Sequence, residues 1–144
     1  MKKEICQSGS AKETIKIAQS FGKKLKPGQV IALWGDLGSG KTTFTKGIAT
    51  ALGIKKNIKS PSFLIFKNYP LKKGGEFVHV DLYRLKKVSD LDTIGLSDFI
   101  NKKNIVVIEW PEKIKKQLPK GKADVFFKTI NKDKREIILV GLGS

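Results

Sequence analysis

A run of eight residues in the first third of the chain has the composition of a phosphate-binding loop. Residues 35–42 read G-D-L-G-S-G-K-T and fit the pattern G-x-x-x-x-G-K-[ST]. Glycines let such a backbone curl so that its N–H groups point at phosphate oxygens. Lys41 can reach the β- and γ-phosphates as a point charge, and the Thr42 hydroxyl is a hard oxygen ligand suited to Mg²⁺. The pattern therefore predicts a site for a nucleoside triphosphate.

The segments on either side favour the strand and the helix that this loop requires. Residues 30–34 are an apolar run typical of a buried strand. Residues 42–52 carry apolar side chains at near-helical spacing, and Gly53 is a good end for a helix. A strand, a loop and a helix in this order place the positive N-terminal end of the helix at the phosphates.

Hydrolysis or transfer of a phosphoryl group also needs a metal organiser and a group that orients the nucleophile. Two acids stand where strands are predicted to end: Asp81 follows residues 77–80, and Glu109 follows the apolar residues 105–108. Ligands of α/β sheets bind at the carboxyl ends of the strands. Either acid could hold Mg²⁺ through its water shell and either could position an attacking water, so the residues alone leave the two roles open.

The only histidine, His79, alternates with Asp81 along the same predicted strand, and both should face the same side. A structural role, or contact with an active-site group, is favoured for His79 over general-base catalysis. One histidine and one distant cysteine, Cys6, argue against a zinc site. Tyr83 and Trp110 are interpreted as packing residues or lids.

The rest of the pattern predicts one α/β domain over residues 1–144. A capping-box sequence at residues 10–13 opens an amphipathic helix that ends before Pro27 and Gly28. Further strands are expected from residue 63 and at 77–83, 105–108, 124–130 and 136–142, and helical segments at 89–100 and 111–118. The strands from residue 63 and at 77–83 can form an antiparallel hairpin, which departs from a purely parallel sheet. A second hairpin is expected around residues 132–134.

Composition limits the class of protein and its partners. Of 144 residues, 40% are hydrophobic and 29% are charged, which is ordinary for a soluble α/β domain. No apolar run approaches the length of a membrane span, and the N-terminus lacks the apolar stretch of a secretory signal, so we expect a cytoplasmic protein. The net charge is +16, and only Arg84 and Arg135 among the 29 basic residues are arginines. Because the lysines are scattered along the chain, the sequence leaves open whether they gather on one face and contact RNA.

Four blocks of this sequence together resemble the TsaE (YjeE) family, the bacterial ATPases of tRNA threonylcarbamoyladenosine biosynthesis. The blocks are G-D-L-G-S-G-K-T-T-F-T-K-G, S-P-S-F, H-V-D-L-Y-R-L and I-E-W-P-E-K, in that order. The similarity spans about residues 10–118 and leaves out the last hairpin. It implies a P-loop NTPase-like three-layer fold with a mixed, mostly parallel central sheet and, on the residue pattern, a C-terminal β-hairpin.

The resemblance also implies ATP and Mg²⁺ as cofactors and a role for each site residue. Asp81 and Lys41 would be the catalytic residues, Asp81 as the catalytic acid and Lys41 through its contact with the phosphates, and Glu109 would hold Mg²⁺ with Thr42. The expected nucleotide-binding residues are Gly38, Ser39, Gly40, Lys41, Thr42, Thr43, Ser62 and Trp110. Ser62 would lie in a switch-like loop near the γ-phosphate. The family more often has Thr where Ser62 stands, and it usually has an acid where this chain has Asn68.

The partners implied by the resemblance are TsaB and TsaD, which transfer a threonylcarbamoyl group onto the adenosine beside the anticodon. A TsaE-like subunit does not form that bond. It hydrolyses ATP to support repeated turnover by the pair, so a weak ATPase that its partners stimulate is expected. Contact with tRNA would be indirect or through a lysine-rich surface, and neither DNA nor a membrane is an expected partner.

Two other classes of protein remain open. A small P-loop kinase would pass the phosphoryl group to a small molecule, but such kinases usually bring several arginines to that group and this chain has two. A nucleotide-gated tRNA-binding module would need no turnover at all. A phosphorylated product would indicate the kinase, and strong salt-dependent tRNA binding with functional hydrolysis-dead variants would indicate the module.

Overall fold

A computed structural model describes residues 2–56, 58, 66–91 and 95–141 of the chain. Its strands are β1 Lys3–Ser8, β2 Val30–Trp34, β3 Phe66–Pro70, β4 Glu76–Asp81, β5 Ile105–Glu109, β6 Ala123–Thr129 and β7 Arg135–Val140. Its helices are α1 Ala11–Lys23, α2 Lys41–Ala51, the short α3 Leu96–Phe99 and a 3-10 helix, Pro111–Gln117. None of the helices in these described ranges has the length and apolar character needed to cross a membrane.

The strands described here form one mixed sheet in the order β1-β7-β6-β2-β5-β4-β3. The central strands β6, β2, β5 and β4 are paired in parallel, whereas the pairs β1–β7, β6–β7 and β3–β4 are antiparallel. Five strands therefore point in one direction, and only β3 and β7 oppose them. The expected mixed, mostly parallel sheet and the C-terminal hairpin are confirmed. The apolar run of β2 is explained by its central place, since both of its faces are covered.

Helical and irregular segments cover the two faces of the sheet, which gives the expected three layers. On one face, α1 and α2 enclose a core that includes Phe21, Phe44 and Phe127. The rings of Phe44 and Phe127 pack edge to face, with their centroids 5.3 Å apart. On the other face, α3, the 3-10 helix and residues 82–91 cover a second core cluster. The strand ends at the site therefore lie between two packed layers.

Close packing of α1 against α2 fixes the helix that starts at the phosphate loop. The capping box at the start of α1 forms as expected, with Glu13 N donating to Ser10 Oγ at 3.1 Å. Further along, a Cβ atom placed on Gly47 would lie 2.5 Å from Ala18 Cβ, and one placed on Gly22 would lie 2.8 Å from Ala51 Cβ. Two glycines thus let the helix backbones approach more closely than side chains would permit.

Three features differ from the sequence-based expectation. The N-terminal segment forms β1, which was not predicted because it is an edge strand with only Ser8 buried, so it lacks an apolar alternation. The segment after Trp110 is a 3-10 helix with non-helical backbone angles at Ile114. The strand at 77–83 ends earlier, at Asp81. The predictions for residues 63–65, 92–94 and 142 lie outside the described residues.

Candidate functional site

The predicted phosphate loop connects β2 to α2, as its pattern requires. α2 begins at Lys41, and Gly40 before it has a φ of 105°, a left-handed conformation that favours glycine. A Cβ atom at Gly35 would lie 2.6 Å from Ser39 Oγ and 2.9 Å from Phe127 Cβ. The loop can therefore curl over the end of β2 only because these two positions are glycine.

A pocket of about 260 Å³ opens beside the loop and brings together most of the predicted site residues. Its lining includes Gly38, Gly40, Lys41, Thr42, Thr43, Asp81, Glu109 and Trp110. Ser39 does not line this pocket; it is 1% exposed, and its Oγ has no hydrogen-bond partner among the described residues. Ser62 and the switch-like loop assigned to it lie outside the described residues.

Lys41 is enclosed by the loop and by an aromatic ring. Its side chain is only 5% exposed. The ammonium Nζ donates to Gly35 O at 2.7 Å and lies 3.4 Å from the centre of the Trp110 ring. Burial lowers the pKa of Lys41, and the carboxylates of Glu109 and Asp81 act in the opposite direction. The cation is thus held at the pocket wall by contacts that phosphate oxygens could replace.

Neighbouring parallel strands place the two predicted acids side by side. Asp81 of β4 and Glu109 of β5 are register partners at the carboxyl ends of their strands. Glu109 is 3% exposed and accepts hydrogen bonds from Thr42 Oγ1, at 3.1 Å to Oε1 and 3.4 Å to Oε2. His79, which is fully buried, contacts Glu109 Oε2 through Nε2. Thr42, Glu109 and His79 therefore form one continuous chain of polar contacts beneath the pocket.

The oxygens of Thr42 and Glu109 fit a magnesium ion. Adjacent ligands of octahedral Mg²⁺, each about 2.0–2.1 Å from the ion, lie about 2.9 Å apart. The separation of Thr42 Oγ1 and Glu109 Oε1, 3.1 Å, is close to that value. Within the described ranges there is no group of three or more His, Cys, Asp or Glu side chains that could hold a metal. A magnesium ion here would complete its shell with water and nucleotide oxygens, as is usual for Mg²⁺ at phosphates.

Asp81 stands at the mouth of the pocket and is half-buried. Burial raises the pKa of its carboxyl group, and a hydrogen bond from Tyr83 N to Oδ1, 3.0 Å long, partly offsets that effect. The backbone that follows is held by Lys113, whose Nζ donates to Tyr83 O at 2.6 Å and to Leu85 O at 3.0 Å. Lys113 belongs to the block I-E-W-P-E-K, but sequence reasoning assigned it no role, because its partners are 28 and 30 positions away in the chain.

The C-terminal hairpin also reaches the phosphate loop, although its sequence carries no motif. Arg135 Nη2 donates to Gly38 O at 3.3 Å. Arg135, Lys132 and residues at the start of α1, including Thr14, line a second pocket of about 260 Å³ on the other side of the loop. The loop is therefore flanked by two pockets, one lined by two carboxylates and Lys41 and the other by Lys132, Asp133 and Arg135.

Comparison with known proteins identifies the family. The family model described as "Threonylcarbamoyl adenosine biosynthesis protein TsaE" matches residues 8–137. The chain belongs to the TsaE family. This confirms the resemblance seen in the four sequence blocks and extends it into the C-terminal hairpin, as far as residue 137.

Similarity to individual proteins supports the same family assignment. The tRNA threonylcarbamoyladenosine biosynthesis protein TsaE of Bacillus subtilis is 36% identical over 149 residues, covering 100% of this chain and 89% of that protein. The protein of the same name from Treponema pallidum is 34% identical, over 92% of this chain and 96% of its own length. The crystal structure of B. subtilis YdiB superposes with a TM-score of 0.81 at 34% identity, covering 99% of this chain and 87% of that one.

Proposed function

We propose that this chain is a Mg²⁺-dependent ATPase of tRNA threonylcarbamoyladenosine biosynthesis. It would bind the TsaB–TsaD pair and hydrolyse ATP, so that the pair can modify the adenosine beside the anticodon repeatedly, in the cytoplasm. The observation that carries the proposal is the shared pocket of Lys41, Asp81 and Glu109, which joins a phosphate-binding loop to two strand-end carboxylates. Family membership supports the pathway, and this geometry supports the reaction.

Nucleotide binding is assigned to the loop and the pockets on both of its sides. The backbone N–H groups of residues 38–43 and the Lys41 ammonium would hold the β- and γ-phosphates. The γ-phosphate would lie in the pocket that Asp81 and Glu109 line, and the nucleoside would lie toward the pocket that Arg135 lines. Trp110, whose ring covers Lys41, would form the wall beside the phosphates.

The metal would be held by Thr42 Oγ1 and the Glu109 carboxylate. When bound, Mg²⁺ supplies neutralisation of the charge that develops on the phosphate oxygens. Glu109 is kept in place by His79, which fills the buried space behind it. His79 thereby acts as a positioning residue, since it touches the carboxylate and not the pocket.

Asp81 is assigned the role of orienting the attacking water. Its carboxylate lines the pocket, and the other acid in that wall, Glu109, is already engaged by Thr42 and His79. The raised pKa of Asp81 makes it a better hydrogen-bond acceptor and proton acceptor than an ordinary aspartate. In phosphoryl transfer the protein does little covalent chemistry itself, so the rate depends mainly on how water, phosphate and metal are positioned.

Partners are expected to raise the rate of hydrolysis. Asp81 is only half-buried, and Tyr83, which also lines the pocket, is 50% exposed. A protein surface seated there would exclude water and fix the segment after Asp81. The proposed contribution of Ser62 near the γ-phosphate remains a prediction from the family resemblance. The expected behaviour is a slow ATPase alone and a faster one with TsaB–TsaD.

The test measures ATP binding and phosphate release for the wild type, Lys41→Ala and Asp81→Ala, each with and without TsaB–TsaD. Lys41→Ala should weaken binding and turnover, because it removes a phosphate contact. Asp81→Ala should still bind ATP and lose about 10²-fold or more in turnover. Asp98→Ala, an exposed aspartate outside the pocket, is the matched control and should behave as the wild type.

Three results would contradict the proposal. Turnover by Asp81→Ala at the wild-type rate would remove Asp81 from the reaction. A rate of the isolated chain that TsaB–TsaD leaves unchanged would exclude partner stimulation. A phosphorylated small molecule in place of free phosphate would identify a kinase.

A further inference from the structure

Acidic residues are absent from one long stretch of this chain. None of the 13 Asp and Glu residues lies between positions 37 and 75. Over the same stretch the lysines are Lys41, Lys46, Lys55, Lys56, Lys59, Lys67, Lys72 and Lys73. This is the longest stretch of the chain without an acid, and its eight lysines contribute half of the net charge of +16.

Four of these lysines converge at the C-terminal end of α2. Lys46, Lys55 and Lys56 line a pocket of about 340 Å³ together with Thr50. Lys72 comes in from the β3–β4 turn, and its Nζ would lie 3.2 Å from a Cβ atom placed on Gly53. All four side chains are exposed. We refer to Lys46, Lys55, Lys56 and Lys72 as the basic surface.

No carboxylate neutralises this surface in the part of the chain that the structure describes. The ion pairs found there are His79 with Glu109 and Lys122 with Asp124, and neither includes a lysine of the basic surface. Like charges gathered without acids repel one another, which disfavours the compact state and attracts anions to the same place. A concave surface of this kind is suited to a ligand with several negative charges.

The charge of the whole chain favours a nucleic acid as the anion. A net charge of +16, together with a concave cluster of lysines that no carboxylate neutralises, is the electrostatic footprint of a protein that binds a phosphate backbone. Protein interfaces, by contrast, are depleted in lysine. We propose that the basic surface binds the phosphate backbone of an RNA. The choice of tRNA as that RNA rests on the proposed function.

The basic surface is separate from the nucleotide site. α2 has 11 residues, so its two ends are about 16 Å apart; the phosphate loop lies at the first, Lys55, Lys56 and Lys72 lie at or beyond the second, and Lys46 lies midway. Substitutions on this surface should therefore leave ATP binding intact. RNA bound here would be joined to the nucleotide site through α2, which packs closely against α1 at Gly22 and Gly47.

The test compares two triple variants of the full chain. In the first, Lys46, Lys55 and Lys56 are each changed to Gln; in the control, the exposed lysines Lys86, Lys87 and Lys116 on the opposite face are each changed to Gln. Both variants lose three positive charges. Binding of an unmodified tRNA transcript is measured as a function of KCl concentration, and thermal unfolding and ATP binding are measured in parallel to show that both variants are folded.

Removal of about three phosphate contacts should reduce the slope of log affinity against log salt by about 2–3 in the first variant. Affinity at low salt should then fall at least about tenfold, while the control should change the slope by less than about 1. Equal losses in the two variants, wild-type binding by the first variant or no tRNA binding by the wild type would each overturn the proposal.

An acidic protein is the competing occupant, and binding to TsaB–TsaD without tRNA distinguishes it. The first triple variant should bind TsaB–TsaD as the wild type does. Loss of that binding with tRNA affinity retained would assign the surface to a protein and overturn the RNA proposal. A failure of ATP hydrolysis in the wild type would count against the proposed function alone, because the salt dependence is measured without turnover.

Discussion

Replacement of His79 tests how the metal-binding carboxylate is held in position. His79 is fully buried on β4, and its Nε2 contacts Glu109 Oε2. Glu109 is itself 3% exposed, and its other partner is the hydroxyl of Thr42. His79→Ala would therefore leave a buried carboxylate with one partner fewer and an empty space behind it.

The size of the effect follows from this burial. A hydrogen bond to a charged group contributes about 1.5–3 kcal/mol, and little water can reach Glu109 to replace it, so the free energy of unfolding should fall by at least that amount. Loss of a partner behind a metal ligand commonly weakens metal affinity about 10–100-fold. The Mg²⁺ concentration for half-maximal hydrolysis should rise by that factor, whereas the rate at saturating Mg²⁺ should fall much less because Lys41 and Asp81 remain.

The assay is a Mg²⁺ titration of ATP hydrolysis in the presence of TsaB–TsaD, run below the unfolding temperature of each variant. His79→Gln keeps a side-chain donor near Glu109 and should recover part of the Mg²⁺ affinity. A folded His79→Ala protein with the Mg²⁺ dependence of the wild type would refute the positioning role.

Four further predictions concern Asp81, Lys113 and Gly47. Burial raises the pKa of Asp81, so hydrolysis should decline on the acid side at a pH above the ordinary aspartate range, as a pH–rate profile would show. The same raised pKa means that the folded state favours the protonated form of Asp81, so the contribution of this group to the free energy of unfolding falls as pH rises through the folded pKa. At pH 7, Asp81→Asn should therefore have a slightly higher melting temperature than the wild type, although it loses turnover. Lys113→Met removes the hydrogen bonds to Tyr83 O and Leu85 O but keeps the side-chain stem, so kcat should fall with little change in ATP binding. Gly47→Ala should cost about 1–3 kcal/mol of stability in a denaturation experiment because its Cβ would lie 2.5 Å from Ala18 Cβ, whereas Gly121→Ala, with no atom within 4 Å, should be close to neutral.

The parts of the fold that the sequence could predict are those with a local pattern. The strand, glycine loop and helix around Lys41 follow from residues that are adjacent in the chain. The closeness of Asp81 and Glu109 could be predicted because parallel strands end at the same edge of a sheet. In the structure, β4 and β5 are paired in parallel with these two residues as register partners. The antiparallel hairpins at β3–β4 and β6–β7 were likewise indicated by turn residues between apolar runs.

The remaining features depend on contacts between distant residues, and no local pattern marks them. Arg135 reaches Gly38 across 97 positions of the chain, and Lys113 reaches Tyr83 across 30. β1 is held by pairing with β7, and its own sequence buries only one residue. The gathering of lysines at the end of α2 could be seen only when the β3–β4 turn was placed beside Gly53.

The most direct test of the central claim is a reconstitution with TsaB, TsaD, tRNA and threonylcarbamoyl adenylate as the group donor, in which phosphate release and threonylcarbamoyladenosine formation are measured in the same reaction. With the wild-type chain, each TsaB–TsaD pair should modify many tRNA molecules while ATP is consumed. With Asp81→Asn, which should still bind ATP, modification should stop after about one turnover per pair. Continued multiple turnover with Asp81→Asn, in the absence of phosphate release from that chain, would contradict the claim that ATP hydrolysis at this site supports the transferase.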